Sequence, residues 1–184
     1  MFRSQIKRHF VTVLLAVVAL PATGLDSDRD QPAELSANHA EMNNATGIGI
    51  YTGDVVLIQG TMRLTADKMT VYTTANGDLQ RVVAEGQDDR NATFRQLPEG
   101  QLHYVHAEAP YMEYQPAEPG HVLLKKGAVM TQGPNEFKGE TIHYDMQKDT
   151  VTAESSEGGG RRVHITFFPE KKEAEQPSKN TTTP

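Results

Sequence analysis

The sequence predicts an all-β protein, an elongated stack or roll of repeated antiparallel strand units. Apolar and polar side chains alternate with period 2 from Gln31 to Phe168, and helical periodicity is absent. Clusters of turn-forming residues separate the alternating runs. A spaced pattern also recurs. Gly53-Asp54-Val55 leads through Gln59-Gly60 to Leu64-Thr65-Ala66-Asp67-Lys68-Met69, and Gly127-Ala128-Val129 leads through Gln132-Gly133 to Phe137-Lys138-Gly139-Glu140-Thr141-Ile142. Weaker echoes stand at Ala37-Asn38 and Ala107-Glu108. Repeated strand–turn units stack into elongated shapes with a continuous interior and few places for catalysis.

The chain opens on a segment outside this pattern. Arg3, Lys7, Arg8 and His9 form a basic start, Phe10 to Leu20 is a short apolar run, and Ala22 and Gly24 supply small residues before a cut after Gly24. This is a secretory signal peptide over residues 1–24. Its apolar run is about half the ~20 residues a spanning helix needs.

The strands follow. Ile48 and Ile50 alternate with Gly47, Gly49 and Tyr51; Met62 and Leu64 with Thr61, Arg63 and Thr65; Met69 and Val71 with Lys68, Thr70 and Tyr72. Met112 and Tyr114 flank Glu113, Ile142 and Tyr144 flank His143, and Val163, Ile165 and Phe167 alternate with Arg162, His164 and Thr166. Each set places apolar groups on one face of a pleated strand. Asn76-Gly77 is a hairpin signal, and Gln115 to Gly120 is a proline-set turn. Between Gly86 and Gly100 only Ala92 and Phe94 read as a short strand. The reading is twelve or more short strands and no helix after the leader. Gly53, Gly86 and Gly127 fall where strands bend between layers, and Asp67 and Glu140 bond turn backbone. From Glu170 to Pro184 almost nothing can be buried, which predicts a disordered tail.

Composition excludes several functions. The net charge is −6, and subtracting Arg3, Lys7 and Arg8 from 18 basic residues leaves 15 against 24 acidic, a formal −9. That argues against nucleic acid and against simple docking to anionic membrane. Zero cysteines exclude disulfides and thiol chemistry. Asp26, Asp28 and Asp30 alternate like the start of a calcium loop, but Gln31 and Ala37 stand where that loop needs Gly and Glu. His103 and His106, read as strand residues, point to opposite faces, so no zinc site is expected. No Ser sits in a nucleophile elbow. The expectation is a protein with no metal, no cofactor and no catalytic set. Asn44-Ala45-Thr46 and Asn91-Ala92-Thr93 are sequons by pattern only.

The leader, Asp30-Gln31-Pro32, Tyr51-Thr52-Gly53-Asp54-Val55, Gln59-Gly60-Thr61 and Ala66-Asp67-Lys68 together resemble the OstA-like family. The resemblance runs from about Asp30 to Phe168. Departures lie in the Pro-rich turn at Gln115 to Gly120 and in Gln87-Asp88-Asp89. The resemblance implies a twisted, open β-jellyroll over residues 25–169, open at both ends, whose two sheets enclose an apolar groove. It further implies a periplasmic, non-enzymatic lipopolysaccharide carrier. Such proteins stack head to tail as self-oligomers and bridge an LptC-like inner-membrane protein to an LptD-like outer-membrane protein.

The groove lining that the resemblance implies is Leu35, Ile50, Val55, Leu57, Met62, Leu64, Met69, Val71, Phe94, Met112, Ile142, Tyr144 and Ile165. Alternation alone reads these residues as an ordinary sandwich core. The face stays open at Val55 to Ile58, where the run is apolar throughout. A buried methylene is worth about 0.8 kcal/mol, so exposing one acyl chain of about fourteen carbons costs on the order of 10 kcal/mol. A carrier therefore needs a continuous apolar lining, softened here by Met62, Met69, Met112 and Met130. The acidic charge assigns binding to lipid A acyl chains, with sugars and phosphates outside in water. The first strand (Ala33, Leu35) and the last (Arg162 to Phe168) are the edges that recruit another chain.

Two other readings compete. One is an exported β-sandwich that binds carbohydrate or serves a structural role, which usually shows aromatic platforms; Trp is absent and aromatics are 7%. The other is an LptC-like membrane-anchored component that keeps its first segment.

Overall fold

The computed structural model describes residues 28–156, 158, 160 and 162–169. The proposed leader at 1–24 and tail at 170–184 lie outside the described residues. After a 3-10 turn at Asp28–Asp30 come twelve strands: β1 (Ala33–Ser36), β2 (His39–Asn43), β3 (Ile48–Gln59), β4 (Met62–Thr73), β5 (Leu79–Glu85), β6 (Ala92–Gln96), β7 (Val105–Ala109), β8 (Tyr111–Gln115), β9 (His121–Gln132), β10 (Asn135–Asp145), β11 (Thr150–Glu154) and β12 (His164–Thr166). No α-helix occurs among the described residues.

Every pairing is antiparallel, and together the pairings lay out two facing layers. The first layer runs β2–β3–β4–β5–β8–β9–β10–β11. The second runs β1–β3–β4–β6–β7–β9–β10–β12. Strands β3, β4, β9 and β10 belong to both. The chain is thus a meander of bent passes, and each pass spends one half in each layer. Pairing also closes on itself through β4–β5–β8–β9–β7–β6, which makes the middle barrel-like. At the flanks, β1, β2, β11 and β12 each pair on one side only among the described residues, so the roll is open at both ends.

The repeated sequence pattern is the corner between layers. Thr52 pairs with Lys68 and Val55 with Ala66, so Gly53 and Asp54 together oppose Asp67 alone. Ala128 pairs with Gly139 and Lys125 with Thr141, so Lys126 and Gly127 together oppose Glu140 alone. These are the same one-residue bulge twice, and a bulge bends a strand and raises its twist. The extra residues take left-handed backbone: φ is 79° at Gly53, 46° at Asp54, 74° at Lys126 and 91° at Gly127. At Gly53 a Cβ would also meet Asn38 Nδ2 at 2.7 Å, so both conformation and space call for glycine.

The corner explains four strands longer than expected. β3, β4, β9 and β10 run 11 or 12 residues because they cross it without breaking. The other passes break there, at Ala37-Asn38, across residues 86–91, at Pro110 and after Glu154. The segment 86–100, hard to read in sequence, is therefore a corner loop followed by β6.

Three further expectations change. The Asn76-Gly77 hairpin forms with only Gly77 in left-handed backbone (φ 90°), and the register shifts beside it between Tyr72 and Thr73; the loop adds a residue to the two-residue form. His103 precedes β7 and is not a strand residue. The last strand is confined to His164–Thr166, against the Arg162 to Phe168 expected.

Candidate functional site: the interior between the layers

Inward side chains form rows that cross the strands. In the second layer, cross-strand partners give one row: Leu35, Leu57, Leu64, Phe94, Ala107, Met130, Phe137 and Ile165. In the first layer they give Tyr51, Met69, Ala84, Met112, Leu124, Ile142 and Ala153. Both rows are apolar from one flank of the roll to the other. Beside the corner the inward residues are small: Val55, Ala66, Ala92, Ala109, Ala128 and Gly139. Small side chains let two layers converge at a bend. The four interior methionines, Met62, Met69, Met112 and Met130, are all at most 1% exposed.

Ten of the thirteen expected lining residues are buried here: Val55, Leu57, Met62, Leu64, Met69, Val71, Phe94, Met112, Ile142 and Tyr144. Leu35 is half-buried against this core. Ile165 continues the second-layer row at the far flank and is 43% exposed. Ile50 is a correction: it faces outward, 38% exposed, between Glu41 and Thr70. Val55 and Leu57 point inward, and the bulge at Gly53-Asp54 keeps the same odd positions inward on both sides of the corner. Gly49 and Tyr51 therefore face the interior, and Ile48 and Ile50 do not. In β4, which has no extra residue, the inward phase switches from Leu64 and Ala66 to Met69 and Val71. Sequence reading missed Val82, Ala84, Val105, Val122 and Leu124, all at most 1% exposed. For Val122 and Leu124 the adjoining Leu123 hid the alternation.

Away from the corner the layers end in turns, and polar groups close this mouth. The Asp149 carboxylate in the β10–β11 turn of the first layer accepts from the Tyr144 hydroxyl at 3.0 Å. It also accepts from Gln132 Nε2, at the second-layer end of β9, at 2.9 and 3.0 Å. Gln101 Nε2 in the β6–β7 loop adds a bond of 3.1 Å. One carboxylate thus ties both layers together. Burial, then the negative charge of Asp149, raises the Tyr144 pKa above its ordinary value. Near the first flank, Asp28 accepts from Thr61 N and Thr61 Oγ1, both at 2.7 Å, and from Gln96 Nε2 at 2.8 Å. The aspartate that alternation placed in a calcium-like run is a cap on strand ends.

Asp67 holds the outside of the corner. It is 8% exposed, accepts from Gln87 N at 2.7 Å and pairs with Arg90. A cleft of about 280 Å³ lies there, lined by Val56, Thr65, Asp67, Arg90 and Asn91 among others. No group of three or more His, Asp or Glu among the described residues could hold a metal ion.

A bent two-layer roll with an apolar interior running between open flanks defines an open β-jellyroll. The chain belongs to the family described as LptA/(LptD N-terminal domain) LPS transport protein, whose profile matches residues 34–150. It is 32% identical over 156 residues to the lipopolysaccharide export system protein LptH of Pseudomonas aeruginosa, covering 82% of this chain and 87% of that one. It is 28% identical over 155 residues to the lipopolysaccharide export system protein LptA of Escherichia coli K12, covering 84% and 80%. The crystal structure of Pseudomonas aeruginosa LptH, described as the LptA-homologous periplasmic component of the lipopolysaccharide transport device, superposes with a TM-score of 0.69. The two are 31% identical, over 78% of this chain and 99% of that one.

Proposed function

We propose that this chain is a periplasmic, non-enzymatic lipopolysaccharide-transport protein that holds lipid A acyl chains between its two layers. The observation that carries the reading is the eight-residue second-layer row, apolar from Leu35 to Ile165, in a member of this family. Side chains such as Phe94 and Tyr114, each 1% exposed, fill the interior. Acyl chains therefore enter by parting the layers, and the Asp149 bonds at the mouth are those that must yield. Flexible methionines re-pack around an irregular ligand.

The flanks support head-to-tail assembly. Val163, Ile165, Phe167 and Phe168 are 36 to 68% exposed at the last flank, and Met42 is 48% exposed at the first. Apolar side chains beside unpaired strand edges suit a partner that continues the sheet. Different edges meeting head to tail propagate the rows from one copy to the next. In this reading an LptC-like inner-membrane protein covers one flank of the assembly and an LptD-like outer-membrane protein the other. The folded unit is residues 25–169, freed from a cleaved leader, so the mature N-terminus lies near Leu25.

Photocrosslinking residues placed singly in cells test the reading. Leu64 and Ile142 should give lipopolysaccharide adducts, and the outward His143 of the first layer should not. Lack of any lipid adduct from the inward positions would sink it.

A further inference from the structure

Arg63 on β4 lies directly opposite Arg95 on β6, and Arg95 directly opposite His106 on β7. All three are exposed on the outer face of the second layer. Like charges placed directly opposite each other destabilise a sheet. No carboxylate among the described residues forms an ion pair with either arginine; by register the nearest, Glu108, is diagonal to Arg95 across Thr93. Arg95 instead stacks its guanidinium 3.8 Å from the centre of the Tyr104 ring, and that ring lies 6.1 Å from His106. One pleat along the same face, Thr65 and Thr93 pair their hydroxyls at 2.6 Å. Two guanidiniums beside a hydroxyl pair in which one hydroxyl donates to the other make a donor-rich pad, with the Glu108 carboxylate at its border opposite Thr93, in a chain of net charge −6.

The position of the pad matters as much as its charge. Arg95 immediately precedes Gln96, the end of β6 at the mouth, and Arg63 immediately follows Met62, the start of β4 at the mouth. The cationic row therefore lies one residue, about 3.3 Å, back from the lip of the second layer. A lipid whose chains lie inside must pass its head over a lip of the mouth.

We propose that Arg63 and Arg95, flanked by Thr65, Thr93 and His106, bind a phosphate on the saccharide head of the lipid as it hangs over this lip. The proposal rests on the transport reading above, and it replaces free hydration of the phosphates with a specific contact. Paired guanidiniums suit a phosphate because their donor forks match its oxygens.

Binding of the full chain to an acyl-free, bisphosphorylated glucosamine disaccharide tests it, by calorimetry at low salt. The unphosphorylated disaccharide, inorganic phosphate and phosphatidylglycerol vesicles are the comparison probes. Arg63→Gln and Arg95→Gln should each weaken the bisphosphorylated probe about tenfold. The same variants should leave the melting temperature unchanged or raise it, because they relieve repulsion; a structural role would lower it. Equal binding by the variants, or equal binding of the unphosphorylated disaccharide, overturns the proposal. Inorganic phosphate binding as tightly as the disaccharide would make this a simple anion site, and tighter binding to the vesicles would make it a membrane contact; either overturns it. The probe carries no acyl chain, so its failure while Leu64 still crosslinks to lipid removes the pad and leaves the transport reading standing.

Discussion

Replacing Asp149 with glycine removes the carboxylate that ties the layers at the mouth. Glycine is the informative choice because Asp149 has a φ of 48°, which glycine adopts without strain. The substitution orphans the Tyr144 hydroxyl, on a side chain 1% exposed, and the part-buried Gln132 amide. An unsatisfied buried donor costs about 1–3 kcal/mol. Gln101 is exposed and regains water, so its bond adds little. The expected loss is about 3 kcal/mol, which lowers the melting temperature of a domain this size by about 10 °C. Urea denaturation of the variant measures it. A double-mutant cycle with Tyr144→Phe should return a coupling of about 1 kcal/mol, since the two groups share one bond. A loss below about 0.5 kcal/mol, or strict additivity in the cycle, refutes the idea that this carboxylate holds the mouth shut.

Other outcomes follow from the same geometry. Leu64→Ala should cost about 2–5 kcal/mol and Ile50→Ser less than about 0.5, because only the first faces the core; similar losses in urea melts would put Ile50 back inside. Gly53→Ala should cost about 2 kcal/mol through its left-handed backbone and its contact with Asn38, with Gly77→Ala as a control because its Cβ meets nothing within 4 Å; equal losses at the two sites would show that crowding at the corner contributes nothing. The Tyr144 pKa is raised in the folded state, so its stabilising contribution is full below the ordinary tyrosine value near 10 and is lost as pH rises above it. The alkaline fall in melting temperature should therefore flatten in Tyr144→Phe, and an unchanged fall assigns it elsewhere.

Much of this architecture is legible in the chain, and the illegible parts have identifiable causes. Period-2 alternation gives the central strands because each has one buried face, whereas β2, exposed at every position, leaves no such signal. The two Gly-containing repeats mark the corners because the bulge there needs left-handed backbone, which Gly53 and Gly127 supply. What alternation cannot give is phase across a corner. Ile48 and Ile50 look like the buried set beside Gly49 and Tyr51, yet the bulge at Gly53-Asp54 decides otherwise. Asp149 looks like an ordinary turn residue, since its partners Gln132 and Gln101 lie 17 and 48 positions away. The Arg63–Arg95–His106 row is likewise a product of register, formed by residues on three separate strands.

If acyl chains occupy the space that side chains such as Phe94 and Tyr114 fill, the two layers must part as lipid enters. The chain has no cysteine, so two can be introduced and spin-labelled at Thr93 and His143, on the outer faces of the second and first layers. Pulsed dipolar spectroscopy should show the distance between them lengthening by about 5 Å on adding lipopolysaccharide, roughly half the ~10 Å spacing of stacked sheets. An unchanged distance with lipopolysaccharide demonstrably bound would place the acyl chains outside the roll.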